Sequence, residues 1–255
     1  MHNPTAAKTI PVFNRQIGSW RISIGREAFT GEDICKIYDN CADSWSKRLS
    51  FLGAPGAYQS AWQAVFDLLP SMSGHRHLRV LDCGIGDGAF SAALARTHPG
   101  SLDLHGVDLS RGMLDQARSN LLRTGIHPTL WPADCQELPF EGASFDLVIS
   151  AHMIEHLADP QKALCEMHRV LKPGGTTVAA ITRRSALGRM IQLGWRTQSY
   201  RFEDVSQLLL GAGFQSTIAV PPTGHRLQNQ LSLFCVGRKP LAIAASPATC
   251  HQETF

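Results

Sequence analysis

Charge is scarce in this chain: Asp, Glu, Lys and Arg make up 18% of its 255 residues, and the formal net charge is only +3. Such a balance gives no support to a surface built for nucleic acid. No apolar run approaches the roughly 20 residues that a membrane-spanning helix needs. The seven cysteines (35, 41, 83, 135, 165, 235 and 250) include no C-x-x-C pair. Neither a zinc site nor a disulfide framework is spaced that way, so they read as reduced, cytoplasmic thiols. Acids are missing from the first 26 residues, which hold Lys8, Arg15, Arg21 and Arg26. That composition is faintly like a transit peptide but has no helical apolar face, so residues 1–30 are expected to form a partly mobile tail. Internal repeats and low-complexity tracts are absent. Residues 241–255, LAIAASPATCHQETF, read as a second tail.

What is present is an ordinary supply of core, 44% hydrophobic residues. Between residues 31 and 70 the periodicity predicts helices. Tyr58, Ala61, Trp62, Val65, Phe66 and Leu69 share one helical face. From Leu78 onward strands and helices alternate, the pattern of a parallel sheet covered on both faces. Ser110 and the pair Asp159-Pro160 are expected to start helices, by capping and by proline at the first helical position. IAV and LSLFCVG, separated by PPTGHRLQNQ, predict an antiparallel pair that closes the sheet.

The densest signal is VLDCGIGDG, Val80 to Gly88. An apolar strand runs into a turn whose glycines, 84, 86 and 88, allow a sharp bend and close approach of a ligand. The following helix presents unpaired amides and its positive dipole end there. GVDLS then places Asp108 at the end of the next strand, 24 residues after Gly84. That is close to the roughly 20-residue offset at which an acid reaches a ribose hydroxyl. Loop and acid together predict an adenosine-containing cofactor and therefore an enzyme. The loop fits two patterns. Gly84, Gly86 and Ala89 satisfy the dinucleotide fingerprint G-x-G-x-x-G/A. With Asp82 leading, the same residues satisfy D-x-G-x-G-x-G. A carboxylate there would repel a pyrophosphate but offset the positive charge of a sulfonium and an ammonium.

At this loop the chain resembles the class I S-adenosylmethionine-dependent methyltransferases. The phrase WPADCQELPFEGASFDLVISAHMIEHLADPQKALCEMHRVLKPGG, residues 131–175, extends the resemblance. It is most similar to the branch with ubiquinone and menaquinone biosynthesis and other small-molecule methyltransferases, and covers roughly residues 76–240. The resemblance implies a Rossmann-like α/β fold: a seven-stranded, mostly parallel sheet with one antiparallel strand, helices on both faces and a helical N-terminal cap over residues 31–70, the main domain spanning 71–240. S-adenosylmethionine is the implied cofactor and a small aromatic or lipid-like molecule the implied acceptor, methylated on oxygen, carbon or nitrogen. Asp82, Gly84, Gly86 and Gly88 would hold the methionine end and Asp108 the ribose. Asp134, with Cys135 beside it, would read the adenine. Leu109 and Met113 would pack on the adenosine, or serve the core alone.

In-line methyl transfer is mostly a matter of positioning. A base is required only when the acceptor must lose a proton. His152, just past the fourth predicted strand, could be that base, or could simply pack over the cofactor. The string HMIEH also fits the zinc pattern H-x-x-E-H, but it follows a strand inside the methyltransferase phrase, and no metal is expected. His156 reads as structural. Trp195 and Tyr200 could wall an acceptor pocket, with Tyr38, Trp45 and Tyr58 forming a lid. Arg183, Arg184, Arg189, Arg196 and Arg201 form an acid-free stretch that suits an anionic acceptor or a solvated face. Two other classes stay open. One is an RNA or protein methyltransferase; the other is a non-catalytic, cofactor-binding partner subunit. A nicotinamide-dependent oxidoreductase is more distant.

Overall fold

The computed structural model describes residues 9–27, 30, 32–39, 54–74, 76–157, 159–185, 197–220 and 232–241. Trp45, Trp195, Arg189 and Arg196 lie outside them. Seven strands form one sheet: β3 (His77–Cys83), β4 (Ser101–Asp108), β5 (Thr129–Pro132), β6 (Phe145–Ala151), β7 (Leu171–Thr182), β8 (Ser216–Val220) and β9 (Ser232–Arg238). Their spatial order is β5-β4-β3-β6-β7-β9-β8. The pairs β3–β4, β3–β6, β4–β5 and β6–β7 are parallel, and β9 runs antiparallel to both β7 and β8. This is the expected architecture. The order reverses direction between β3 and β6, and ligands of open α/β sheets bind at such a reversal, beyond the carboxyl ends of the strands.

Helices cover both faces. On one side α2 (Ala54–Leu68), α4 (Ala89–Thr97) and α5 (Arg111–Leu122) bury one core, and on the other α6 (Pro160–Val170) and α7 (Phe202–Gly211) bury a second. Before α2 lies a short helix, α1 (32–39), and after it the single turn α3 (Pro70–Ser73). Helix α2, in the segment expected to be a helical cap, packs firmly onto the main core. Its face of Tyr58, Trp62, Val65 and Phe66 is buried in the main core. Trp62 stacks on Phe90 of α4 with ring centroids 4.9 Å apart and donates its indole N–H to the Phe90 carbonyl at 3.2 Å. Burying side chains of this size is worth roughly 1.5–3 kcal/mol each, more than a detachable lid would surrender.

Residues 9–27 differ from the expected tail. They form an antiparallel hairpin of β1 (Thr9–Ile17) and β2 (Trp20–Glu27). Gly18, at φ +60°, takes the first central position of the two-residue turn closed by the Ile17–Trp20 pair. The alternation of Trp20, Ile22 and Ile24 with Arg21, Ser23 and Gly25 carried that signal. Strand β7 runs for 12 residues, from Leu171 to Thr182. Its first residues form a bulge, Phe145 pairing with Leu171 and Leu147 with Thr176, and Gly174 sits there at φ +77°.

Both expected helix starts are present. The Ser110 side chain accepts from the Met113 amide at 3.1 Å, and Asp159 accepts from the Lys162 amide at 3.1 Å. Asp159 is exposed and far in the chain from the glycine loop. Asp159→Ala should therefore cost about 1 kcal/mol of stability in urea denaturation, with ligand binding unchanged.

Candidate functional site

Strand β3 delivers Asp82 and Cys83 to the carboxyl edge of the sheet, and the glycine loop turns there. The amides of Gly84 and Ile85 both donate to the Val107 carbonyl, at 2.9 and 3.0 Å, which pins the loop to β4. Gly84 lies at φ +71°, and a Cβ on it would come within 2.5 Å of the Met153 side chain. Both facts demand glycine. Gly86, at φ +54°, faces open space, with nothing within 4 Å of where its Cβ would be. Gly88 caps α4 in the left-handed conformation.

Two acids flank this loop. Asp82 is 1% exposed. One carboxylate oxygen, Oδ2, accepts from Ser91 Oγ at 2.6 Å, and Oδ1 is buried with no hydrogen-bond partner. Burial pushes its carboxyl up to about 7, against the Ser91 hydrogen bond. Asp108, at the tip of β4, accepts from the Gly86 amide through Oδ2 and from the Ser110 amide through Oδ1, both at 2.9 Å. Its carboxyl is raised by burial in spite of these bonds. Leu109 beside it is exposed, whereas Met113 is fully buried in α5. Past β5, Asp134 accepts from the Gln136 amide at 2.8 Å, and Cys135 is buried. A hydrogen bond with Cys135, reinforced by burial, holds the Cys83 thiol well above its ordinary range.

The tip of β6 carries His152 at φ +54°, a backbone region that residues other than glycine rarely occupy. Its ring is held on both nitrogens. Nδ1 lies 3.0 Å from Glu155 Oε1 and 3.2 Å from Thr182 Oγ1, and Nε2 lies 3.2 Å from Ser232 Oγ. Glu155 is buried, and its Oε1 also accepts from the Thr182 amide at 3.0 Å and the Thr182 hydroxyl at 2.6 Å. Burial works to raise the Glu155 carboxyl. The bond to His152, the nearby imidazoles and the Thr182 hydroxyl outweigh it and hold the group below its usual range. Residues 154–156 form a single 3-10 turn, not the α-helix that an H-x-x-E-H zinc site requires.

Other expected residues gather around this edge. Tyr38 on α1 places its hydroxyl 3.2 Å from His156 Nε2, and burial holds the His156 ring below its ordinary pKa. Its neighbour Asp39 accepts from Ser110 Oγ and from the Gly112 amide at 3.1 Å. Helix α1 thus joins the tips of β4 and β6. Tyr58 is buried edge-on against Phe90 and Phe234, with its ring 6.4 Å from that of His152. Tyr200 is buried, its hydroxyl donating to Gln198 Oε1 at 3.1 Å, and Arg183 and Arg184 are exposed at the end of β7. Glu155, Thr182, Ser232 and Asp39 belong to the site although sequence reasoning did not single them out. For Glu155 the signal was its place three residues after His152, where one 3-10 turn brings the two side chains together.

Residues 81–179 match a protein family described as a methyltransferase domain. The chain is 33% identical over 177 residues to a malonyl-[acyl-carrier protein] O-methyltransferase of Geobacter sulfurreducens, covering 63% of this chain and 65% of that protein. It is 37% identical over 102 residues to a ubiquinone/menaquinone biosynthesis C-methyltransferase of a Geobacter species, covering 39% and 43%. The chain therefore spans less than two thirds of the length of either relative. Among solved structures, a SAM-dependent methyltransferase from Thermotoga maritima superposes with a TM-score of 0.60 at 24% identity, over 81% of this chain and 99% of that one.

The raised Asp82 carboxyl links stability to pH. Between the unfolded value near 4 and the folded value of about 7, the native state holds a proton that the unfolded state has lost. Stability contributed by this group therefore falls as pH rises from 4 to 7 and is level above. Asp82→Asn should remove that fall and leave the ligand-free protein more stable at pH 7.5, by about 2–4 kcal/mol at most, as read by urea denaturation at both pH values.

Proposed function

We propose that this chain is a class I methyltransferase that transfers a methyl group from S-adenosylmethionine to a small-molecule acceptor, a reading supported by the match of residues 81–179 to a methyltransferase domain and by the named activities of its relatives. The observation that carries the reading is a glycine loop open at Gly86 between two acids: Asp108 on its rim and Asp82 beneath it with a buried, unpartnered Oδ1. An unmet acceptor atom in a buried site asks for a donor or a positive charge. The ammonium and sulfonium of S-adenosylmethionine supply both kinds of partner, and a pyrophosphate supplies neither. Bound there, the cofactor provides a methyl group already activated for in-line displacement.

The chain's own residues then bind and orient. Asp108 is placed to accept from ribose hydroxyls while the Gly86 and Ser110 amides hold it still. Asp134 and Cys135 stand at the neighbouring strand end, where the resemblance puts the adenine. Exposed Leu109 offers an apolar surface next to Asp108, whereas Met113 is buried within α5. Tyr38, on a helix bonded to both sides of the crevice, covers the opening. His152 is the group we assign as base for an acceptor that must lose a proton, with Tyr58 and Tyr200 behind it. The named activities of the two relatives, on a carrier-linked acid and on a quinone precursor, frame the acceptor as an aromatic or acyl metabolite. Unpaired thiols at Cys83, Cys135 and Cys235 suit a reducing compartment such as the cytoplasm. Among the described residues, no helix is long and apolar enough to cross a membrane.

Calorimetric titration tests the reading. S-adenosylmethionine and S-adenosylhomocysteine should bind in the micromolar range and NAD(H) should not. Asp108→Ala should weaken both adenosyl ligands about 10- to 100-fold, the loss of hydrogen bonds to a charged group. Binding of NAD(H) alone would overturn it.

A further inference from the structure

We infer that Glu155 is a positioning residue that fixes which nitrogen of His152 receives the acceptor's proton, so that the site is built for acceptors with an ionisable O–H. The inference rests on the methyltransferase reading for its reaction, and on the Glu155–His152–Ser232 chain for its geometry. An ionised carboxylate can only accept hydrogen bonds. Glu155 Oε1 lies 3.0 Å from His152 Nδ1, so in the neutral ring Nδ1 carries the proton. Thr182 Oγ1, 3.2 Å from the same nitrogen, spends its own proton on Glu155 and leaves a lone pair facing Nδ1. Both neighbours therefore demand the same tautomer. The basic lone pair is then on Nε2, where the Ser232 hydroxyl, 3.2 Å away, can donate to it.

The ring is also fixed in space. Its backbone N–H donates to the Ala180 carbonyl at 2.7 Å, and Glu155 is tied to the Thr182 amide on the adjoining strand. His152 itself is only partly buried, whereas Glu155 and Ser232 are each 2% exposed. An acceptor can reach the ring, and solvent is kept from the groups that orient it. In the step proposed, the acceptor O–H replaces Ser232 as the donor to Nε2. The O–H bond breaks with its electron pair staying on oxygen, Nε2 takes the proton, and the resulting imidazolium faces the Glu155 carboxylate. The proton later leaves to water. The titratable groups around the ring are Glu155 on its own segment, the partly buried His156 next to it, and Tyr58 from α2, whose ring lies 6.4 Å away; from the strands beside it come the neutral Thr182 and Ser232.

The test is the ring tautomer of His152, read by long-range nitrogen–proton NMR on the full chain with S-adenosylhomocysteine added. At a pH where the ring is neutral, the wild type should show Nδ1–H and a bare Nε2. Glu155→Ala should convert it to a mixture or to Nε2–H, and Glu155→Gln, which keeps an amide oxygen for Nδ1, should restore part of the original signal. An Nε2–H ring in the wild type overturns the inference, and so does an unchanged tautomer in Glu155→Ala. If the Glu155 variants do not fold, the wild-type spectrum together with Thr182→Val still decides: loss of Nδ1–H in Thr182→Val alone would mean that Thr182, not Glu155, sets the ring. Failure of the methyltransferase reading would show separately, as absence of S-adenosylhomocysteine binding with the tautomer intact.

Discussion

Where the strand order turns back on itself, between β3 and β6, the loop after β3 and the loop after β6 must part company, and the space they leave is the site. Its tightest point is the contact of Gly84 with Met153, where a Cβ would fall 2.5 Å from the methionine. The glycine lets the β3 loop fold back onto β4 while β6 passes alongside. Everything else is hung from these strand ends. Asp82 lies one residue inside the end of β3, Asp108 ends β4, His152 follows β6, Thr182 ends β7, and Ser232 begins β9. Because β9 is antiparallel, its first residue comes to the same edge as the last residues of its neighbours. A parallel strand in that place would have sent Ser232 to the opposite end of the sheet.

Burial gives the acids at this edge opposite characters. Asp82 has a single hydroxyl donor and no charge partner, so desolvation pushes its carboxyl toward neutrality. Glu155 is as deeply buried, but three donors converge on one of its oxygens and hold it ionised. Carboxyls with such different environments have different work. A half-protonated acid under an open loop answers to an incoming cation, which returns it to the charged form. The Glu155 carboxylate, held below its usual range beside His152, would favour positive charge on that ring.

The sheet and the cofactor side were legible because they obey local rules. Alternating apolar segments, Ser110 and Asp159 as caps, and glycines at positive φ all act within a few residues, and each leaves a pattern in the sequence. The acceptor side is built from groups distant in the chain, 80 residues apart for His152 and Ser232. Spacing says nothing about such pairs. HMIEH illustrates the difficulty: read as a string it offers two histidines and a glutamate to a metal, whereas the structure has a 3-10 turn over residues 154–156 and Glu155 hydrogen-bonded to His152. The N-terminal hairpin was missed for another reason. The period-two alternation around Gly18 is short and sits in a basic, acid-free segment whose composition is also that of a tail. Helix α2 is legible as an apolar helical face, but such a face does not say which surface will cover it.

Strain and anchorage meet at His152. A left-handed backbone costs a bulky residue of order 1–3 kcal/mol, and persists only where the surroundings over-determine it. Here they do: the amide is bonded to β7, one ring nitrogen to Glu155 and Thr182, the other to Ser232. A histidine kept only for packing would need none of this, since a relaxed backbone and any apolar neighbour would serve. Fixing both nitrogens of a half-exposed imidazole against a buried carboxylate selects one tautomer and one orientation, and neither has any value to the core. The left-handed backbone at His152 is thus held by the same network of hydrogen bonds that fixes its ring.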